Sequence, residues 1–138
     1  MALSKQVSTI MTTSPVVGKL TNSFTQALRL FTEFPVHHLP IVDDDNKLIG
    51  IVSSNDLPKV FLNLCNRDKK VKMSFDDLDR EIKLADIMTP NPITISSSDS
   101  IQQAAEIFAA KKFLALPVVD NGVLLGIVSV KDVVSYLA

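Results

Sequence analysis

Two short stretches of this sequence carry one chemistry-bearing pattern: Ser53-Ser54-Asn55-Asp56 and Ser129-Val130-Lys131-Asp132, each after a run of strand-forming apolar residues. A strand that ends in a serine capping a helix presents backbone N–H groups and the positive end of a helix dipole. Such an end suits a phosphate. An aspartate three residues on, in the first helical turn, can accept both hydroxyls of a ribose. The same Ser-x-x-Asp spacing is also a helix-capping box, worth about 1 kcal/mol, and the two roles are compatible. His37-His38 and Lys131 add groups that suit phosphate oxygens, and histidine changes charge near neutral pH. Adjacent side chains on a strand point to opposite faces, so the two histidines alone do not make a metal site.

Other chemistry is missing. The single cysteine, Cys65, has no histidine near it in sequence. It reads as inert, forms no intrachain disulfide and fits a reducing compartment. There are no paired carboxylates with a base, no Ser/His/Asp arrangement and no glycine-rich phosphate loop among only four glycines. An enzyme is therefore not expected.

The elements that position these residues come as an internal repeat. Ile10-Met11-Thr12 returns as Ile87-Met88-Thr89, Ser23, Gln26, Ala27 and Phe31 as Ser100, Gln103, Ala104 and Phe108, and Leu39-Pro40 as Leu116-Pro117, all 77 residues apart. After one deletion in the second hairpin the spacing becomes 76, and Gly50-Ile51-Val52-Ser53 and Asp56 return as Gly126-Ile127-Val128-Ser129 and Asp132. Each repeat reads as an extended piece after Pro15 or Pro92, then a helix opened by Ser-x-x-Gln. A buried strand, a turn, a return strand and a second helix follow. Asp120-Asn121-Gly122 is a strong hairpin signal. The organisation expected is α+β: tandem βαββα repeats over residues 1–64 and 84–138, joined by 65–83. That joining stretch mixes charges of both signs, from Arg67, Asp68, Lys69, Lys70 and Lys72 to Asp76, Asp77, Asp79, Arg80 and Glu81, and reads as a solvated linker or short surface helix.

The Ile-Met-Thr start, the Leu-Pro-[Ile/Val]-Val-Asp strand and the Gly-Ile-Val-Ser-x-x-Asp end, each present twice in order, resemble the cystathionine β-synthase (CBS) domain family. With no other domain in view, the chain looks like a stand-alone CBS pair, or Bateman module. The resemblance implies a pair with approximate two-fold symmetry, sheets packed together and helices outside. It also implies two clefts between the repeats for AMP, ADP, ATP, S-adenosylmethionine or a related adenosyl ligand, as a regulatory ligand rather than a required cofactor. Two modules often form a disc-like homodimer that signals to a protein partner. Carried over, one cleft joins Ser129, Lys131 and Asp132 to Val16, Val36, His37 and His38, with Ile127 against the adenine. The other joins Ser53 and Asp56 to Ile93, Phe113, Leu114 and Ala115, with Ile51 lining it. The first cleft is polar; the second is apolar, with Lys111-Lys112 at a nearby helix end. Gly18-Lys19-Leu20 departs from the pattern seen at Ile95-Ser96-Ser97 and loosens the first strand of repeat one; Pro35 stands where a basic residue is common.

Composition sets the remaining bounds. The 138 residues are 46% hydrophobic, enough for a packed core, with formal net charge −1. That balance argues against broad phosphate neutralisation on nucleic acid. No apolar run approaches the ~20 residues of a spanning helix, and the N-terminus lacks a signal-peptide apolar core. A cytoplasmic location is expected. The alternative to a ligand sensor is a structural dimerisation module with degenerate clefts.

Overall fold

The computed structural model describes residues 2–67 and 74–138. After two short 3₁₀ turns, the elements are β1 (Thr12–Thr13), α1 (Phe24–Glu33), β2 (His38–Val42), β3 (Leu48–Ser53), α2 (Asp56–Arg67), α3 (Phe75–Glu81), α4 (Leu84–Ile87), β4 (Thr89–Pro90), α5 (Ile101–Lys111), β5 (Ala115–Asp120), β6 (Val123–Ser129) and α6 (Val130–Leu137). The chain divides into two compact units. The β5–β6 unit holds Met1–Pro15, Asp44–Leu48 and Pro92–Ala138; the β2–β3 unit holds Val16–Asp43 and Ile49–Asn91.

Local sequence explains the main elements. Ser23 and Ser100 each open a helix by a reciprocal box: the serine Oγ accepts the Gln26 or Gln103 amide at 3.1 Å, and the glutamine oxygen accepts the serine amide. The apolar stripes then face inward, Phe24 and Ala27 on α1 and Ile101, Ala104 and Phe108 on α5. Asn121 (φ 52°) and Gly122 (φ 82°) make the tight β5–β6 turn, two successive positive φ values being what a type I′ hairpin requires.

Each unit contains one three-stranded sheet, β1-β6-β5 in one and β2-β3-β4 in the other. The short outer strands are exchanged between the sequence repeats. β1, from the start of repeat one, pairs antiparallel with β6 of repeat two, Thr12 opposite Ile127 and Thr13 opposite Gly126. β4, from the start of repeat two, pairs with β3 of repeat one, Thr89 opposite Ile51 and Pro90 opposite Gly50. The glycines make this crossing possible. A Cβ at Gly126 would lie 2.5 Å from the Thr12 carbonyl oxygen and 2.8 Å from the Met11 sulfur. A Cβ at Gly50 would fall on the Met88 sulfur, 3.1 Å from the Thr89 carbonyl oxygen. The Ile-Met-Thr and Gly-Ile-Val-Ser motifs are thus the two sides of one contact.

The extended pieces after Pro15 and Pro92 shrink to single parallel bridges, Gly18 with Ile41 and Ile95 with Val118. Gly18 N–H donates to Pro40 O (2.9 Å) and Ile95 N–H to Pro117 O (3.0 Å); Val42 and Val119 return a bond to Gly18 and Ile95. The next parallel rung would need an N–H from Pro40 or Pro117, which proline lacks. The Leu-Pro motif therefore stops the ladder and leaves the Val16 and Ile93 carbonyls without that rung. Gly18 is buried with Leu39 and Ile41 closing over it: a Cβ there would stand 3.1 and 3.0 Å from their methyls. Ile95 fills the corresponding place in the other unit with its own side chain, 3% exposed.

The stretch joining the repeats is more than a solvated linker. Residues 68–73, with Asp68, Lys69, Lys70 and Lys72, lie outside the described residues, as does the side chain of Cys65. Beyond them α3 and the residue after it bury Leu78 and Ile82 with Phe24 and Leu57. Asp79 accepts the Thr25 backbone amide (2.8 Å) and the Thr25 hydroxyl (2.7 Å). It thus satisfies an amide in the first turn of α1 from 54 residues away. The short helix is one of the two readings open in the sequence; charge mixing hides its core contact, because its apolar contribution is only two residues among many ions. A second carboxylate, Asp120, accepts from the hydroxyls of Ser96 and Ser97 and from the Ser97 amide. It pins the Ile95 piece, and repeat one has Lys19-Leu20 in place of those serines.

Gly126→Ala is expected to cost about 1–3 kcal/mol, as overpacking does, because the clashing Thr12 oxygen is backbone and cannot rotate away. An unchanged urea midpoint would refute the crossing. Asp79→Ala is expected to lower stability by about 1–2 kcal/mol through its two lost charge-assisted bonds, read in the same unfolding experiment. The serine hydroxyls, Ser97 first, hold the Asp120 carboxyl below its ordinary pKa of 3.8. Its contribution is then complete above that value and is lost as pH falls through the lower folded value. Asp120→Asn should flatten the acid limb of a stability-against-pH curve below about pH 4; an unaltered limb would contradict this.

Candidate functional site

In the β5–β6 unit, β6 runs straight into α6. Ser129 has extended backbone, φ −111° and ψ 163°, and its Oγ accepts the Asp132 amide at 3.0 Å. Asp132 Oδ2 accepts the Ser129 amide in return, at 2.9 Å. The Val130 amide donates to Leu114 O at 3.0 Å. Of the first three amides of α6, Lys131 alone is left without a partner among the described residues. The helix end expected to cradle a phosphate has already spent most of its donors on itself and on the segment before β5. What it offers a ligand is the Lys131 amide, the exposed Lys131 side chain, the second Asp132 oxygen and the dipole field.

The β2–β3 unit repeats the design with a longer entry. The Ser53 amide donates to Asp56 Oδ2 at 2.9 Å. A turn at Ser54-Asn55 follows, and α2 starts at Asp56 itself. The Ser54 amide donates to His37 O at 2.8 Å. His37 therefore stands to this cap as Leu114 stands to the other. The His37 side chain is exposed and that of His38 half-buried. Burial lowers the His38 pKa from 6.5; His37 lowers it further, while the Asp56 carboxylate opposes both.

The site residues expected from sequence fall in both units. Val16, Val36, His37, His38, Ile51, Ser53 and Asp56 belong to the β2–β3 unit; Ile93, Phe113, Leu114, Ala115, Ile127, Ser129, Lys131 and Asp132 belong to the β5–β6 unit. Within the latter, the structure joins Ser129 to Asp132 by reciprocal hydrogen bonds and holds the Leu114 carbonyl on the intervening Val130 amide. Within the former, it joins Ser53 to Asp56 and ties His37 to the same cap, with His38 in the field of Asp56. Ile93, Phe113 and Leu114 are exposed apolar side chains, while Ala115 is buried. Sequence reasoning missed the roles of the Ser54 and Val130 amides and of Pro40 and Pro117. The prolines were visible as part of a motif, but their meaning needed the partner strand.

Two features lie apart from the caps. An open depression of about 350 Å³ on α5 is lined by Ile93, Gln103, Glu106, Ile107, Ala110 and Lys111. No group of three or more side chains suited to hold a metal ion occurs among the described residues. No helix among them is long and apolar enough to cross a membrane.

Residues 7–63 and 84–138 each match the CBS domain family. The chain is 33% identical over 135 residues to the chloroplastic CBS domain-containing protein CBSX2 of Arabidopsis thaliana, covering 86% of this chain and 56% of that protein. It is 31% identical over 136 residues to a CBS domain-containing protein of Dictyostelium discoideum, covering 95% and 90%. The chain thus spans about half the length of the plant relative, and only 20% of a homoserine O-acetyltransferase that it also matches. Among solved structures, CBSX2 in complex with AMP superposes with a TM-score of 0.79 at 32% identity, covering 96% of each chain. The CBS domain pair of protein MJ0100, in complex with 5′-methylthioadenosine and S-adenosyl-L-methionine, gives 0.79 at 25% identity, covering 96% and 95%. With both repeats matched and the α+β architecture shared across nearly the whole length, the chain belongs to the CBS domain family and carries two CBS repeats.

Proposed function

We propose that this chain is a regulatory CBS pair that binds an adenine nucleotide or adenosyl ligand and passes that event to a protein partner. The observation that carries the reading is the Ser-x-x-Asp cap at each β-to-α junction, built so that one aspartate oxygen accepts the serine amide and the other has no hydrogen-bond partner among the described residues. Support comes from the AMP held by CBSX2 and the adenosyl compounds held by the MJ0100 pair.

The chemistry follows from the donor count. Asp132 Oδ2 is committed to the Ser129 amide, so Oδ1 receives the ribose hydroxyls. Ile127 and Ile51, partly exposed beside the caps, offer apolar contact to an adenine. Because the Val130 and Asp132 amides are occupied, recognition of phosphate rests on Lys131 and the dipole field. The adenosine part of the ligand then supplies most of the binding, and the phosphate count tunes it. AMP, ADP, ATP and S-adenosylmethionine all meet this requirement. Signalling is a population shift: a ligand with different affinity for two arrangements of the pair, or of a homodimer of pairs, favours one of them. No nucleic acid, membrane or resident cofactor enters this reading, and its setting is cytoplasmic.

A second reading has its own support. The Ser129–Asp132 box is self-satisfying without any ligand, which is what a purely structural dimerisation module requires.

Isothermal titration with AMP, ATP and S-adenosylmethionine separates the two. Sensing predicts saturable heat with at least one of them, weakened at least tenfold by Asp132→Ala, as expected for losing charge-assisted hydrogen bonds worth about 1.5–3 kcal/mol. A thermal melt of the variant confirms that it is folded. No heat with any ligand, and a melting temperature indifferent to all three, would leave the structural module standing.

A further inference from the structure

The β2–β3 unit holds the chain's only two histidines immediately before the Leu-Pro motif. It also ties their backbone to the Ser-x-x-Asp cap through the bond from Ser54 N–H to His37 O. His38 begins β2, Ser53 ends β3, and the two strands are neighbours in one sheet. The other unit has Leu114 and Ala115 in these places, so this arrangement exists at one cap alone. No ion pair joins His38 to Asp56 in the described structure, and Asp56 Oδ2 is held by the Ser53 amide.

We infer that His38 is a proton-operated regulator of the Asp56 cap: when protonated, its imidazolium draws on the Asp56 carboxylate and weakens that carboxylate's hold on a ribose diol. The inference rests on the reading of Asp56 as a ribose acceptor. The groups acting on His38 are few. His37 is its chain neighbour on the approach to β2, and Asp56 begins α2 two residues beyond the Ser54 amide that bonds His37 O, its carboxylate opposing the other two effects on His38. Burial and His37 keep His38 neutral at neutral pH, which leaves Asp56 free to accept hydroxyls; Asp56 provides the opposing pull that grows once a proton is taken up. The sign follows. Because the folded pKa lies below 6.5, His38 is neutral above that value and charges as pH falls through the lower folded value. Ligand affinity at this cap therefore falls with acidification. By linkage, bound ligand lowers the His38 pKa further. The Asp132 cap has Leu114 and Ala115 at the matching places and so has no such histidine within its own unit.

The test uses the full chain carrying Asp132→Ala, so that binding reports the Asp56 cap. The probe is 5′-methylthioadenosine, a nucleoside with no titrating group between pH 5 and 8. Calorimetry at pH 8 and at a pH below the His38 imidazole midpoint measured by NMR is expected to show affinity about fivefold lower at the acid pH, and His38→Gln to remove that difference. A second readout is the His38 imidazole titration by NMR, whose midpoint is expected to fall in Asp56→Asn because the carboxylate's attraction is gone. Equal affinity at both pH values, the same acid loss in His38→Gln, or an imidazole midpoint unmoved by Asp56→Asn would each overturn the switch. Absence of binding at both pH values, with the midpoint shift intact, would instead locate the failure in Asp56 as a ribose acceptor, and the regulator would fall with it.

Discussion

The structure depends on one close crossing. The backbone at Thr12 passes over Gly126 so tightly that no Cβ fits between them, and at Gly50 the Met88 side chain takes the place of a Cβ, with the Thr89 carbonyl oxygen 3.1 Å away. Since the passing segment always comes from the opposite sequence repeat, neither sheet is complete without the other repeat's first residues. The contact also sets the course of β3 and β6, whose far ends become Ser53 and Ser129. The position of both Ser-x-x-Asp caps is therefore inherited from a glycine three residues upstream.

The caps themselves show how one set of atoms serves folding and recognition. Asp132 closes the first turn of α6 through its Oδ2 and its own amide, and that fixes where its remaining oxygen points. The Val130 and Ser54 amides hold the segments before β5 and β2 against the caps. Each cap is thus bonded to the pre-Leu-Pro segment of its own repeat, whereas the family resemblance groups each cap with that segment of the other repeat. This economy comes at the expense of phosphate binding. A helix end with free amides grips a phosphate directly, whereas this one works chiefly through a carboxylate and a lysine. The balance favours the nucleoside over its charge.

Much of this was legible in the sequence, for identifiable reasons. The repeat, the Ser23 and Ser100 capping boxes and the Asn121-Gly122 turn are local signals, and local signals survive folding. The order β-α-β-β-α was readable as well, although its first strand proved to be a single bridge. Pro40 and Pro117 act on a strand that lies far away in sequence, so periodicity could not show their effect. The strand exchange was invisible because a motif states what a segment wants to pair with, not which copy will supply it. The core role of Leu78 and Ile82, and the Asp79 bond to Thr25, lay hidden in a stretch whose ions dominate its composition. The tie between His37 and Ser54 was also out of reach. It is a backbone bond, carries no side-chain signature, and gives the histidines a neighbour in their own repeat.

The claim on which the functional account turns is that the caps are ligand anchors as well as helix caps. The most direct measurement is a ¹H–¹⁵N NMR titration of the full chain with AMP, following the Ser129, Lys131 and Asp132 amides. The account predicts saturable shifts at all three with one common affinity, Lys131 moving most because its amide has no partner among the described residues. Shifts absent from these amides, or confined to the depression on α5, would contradict it.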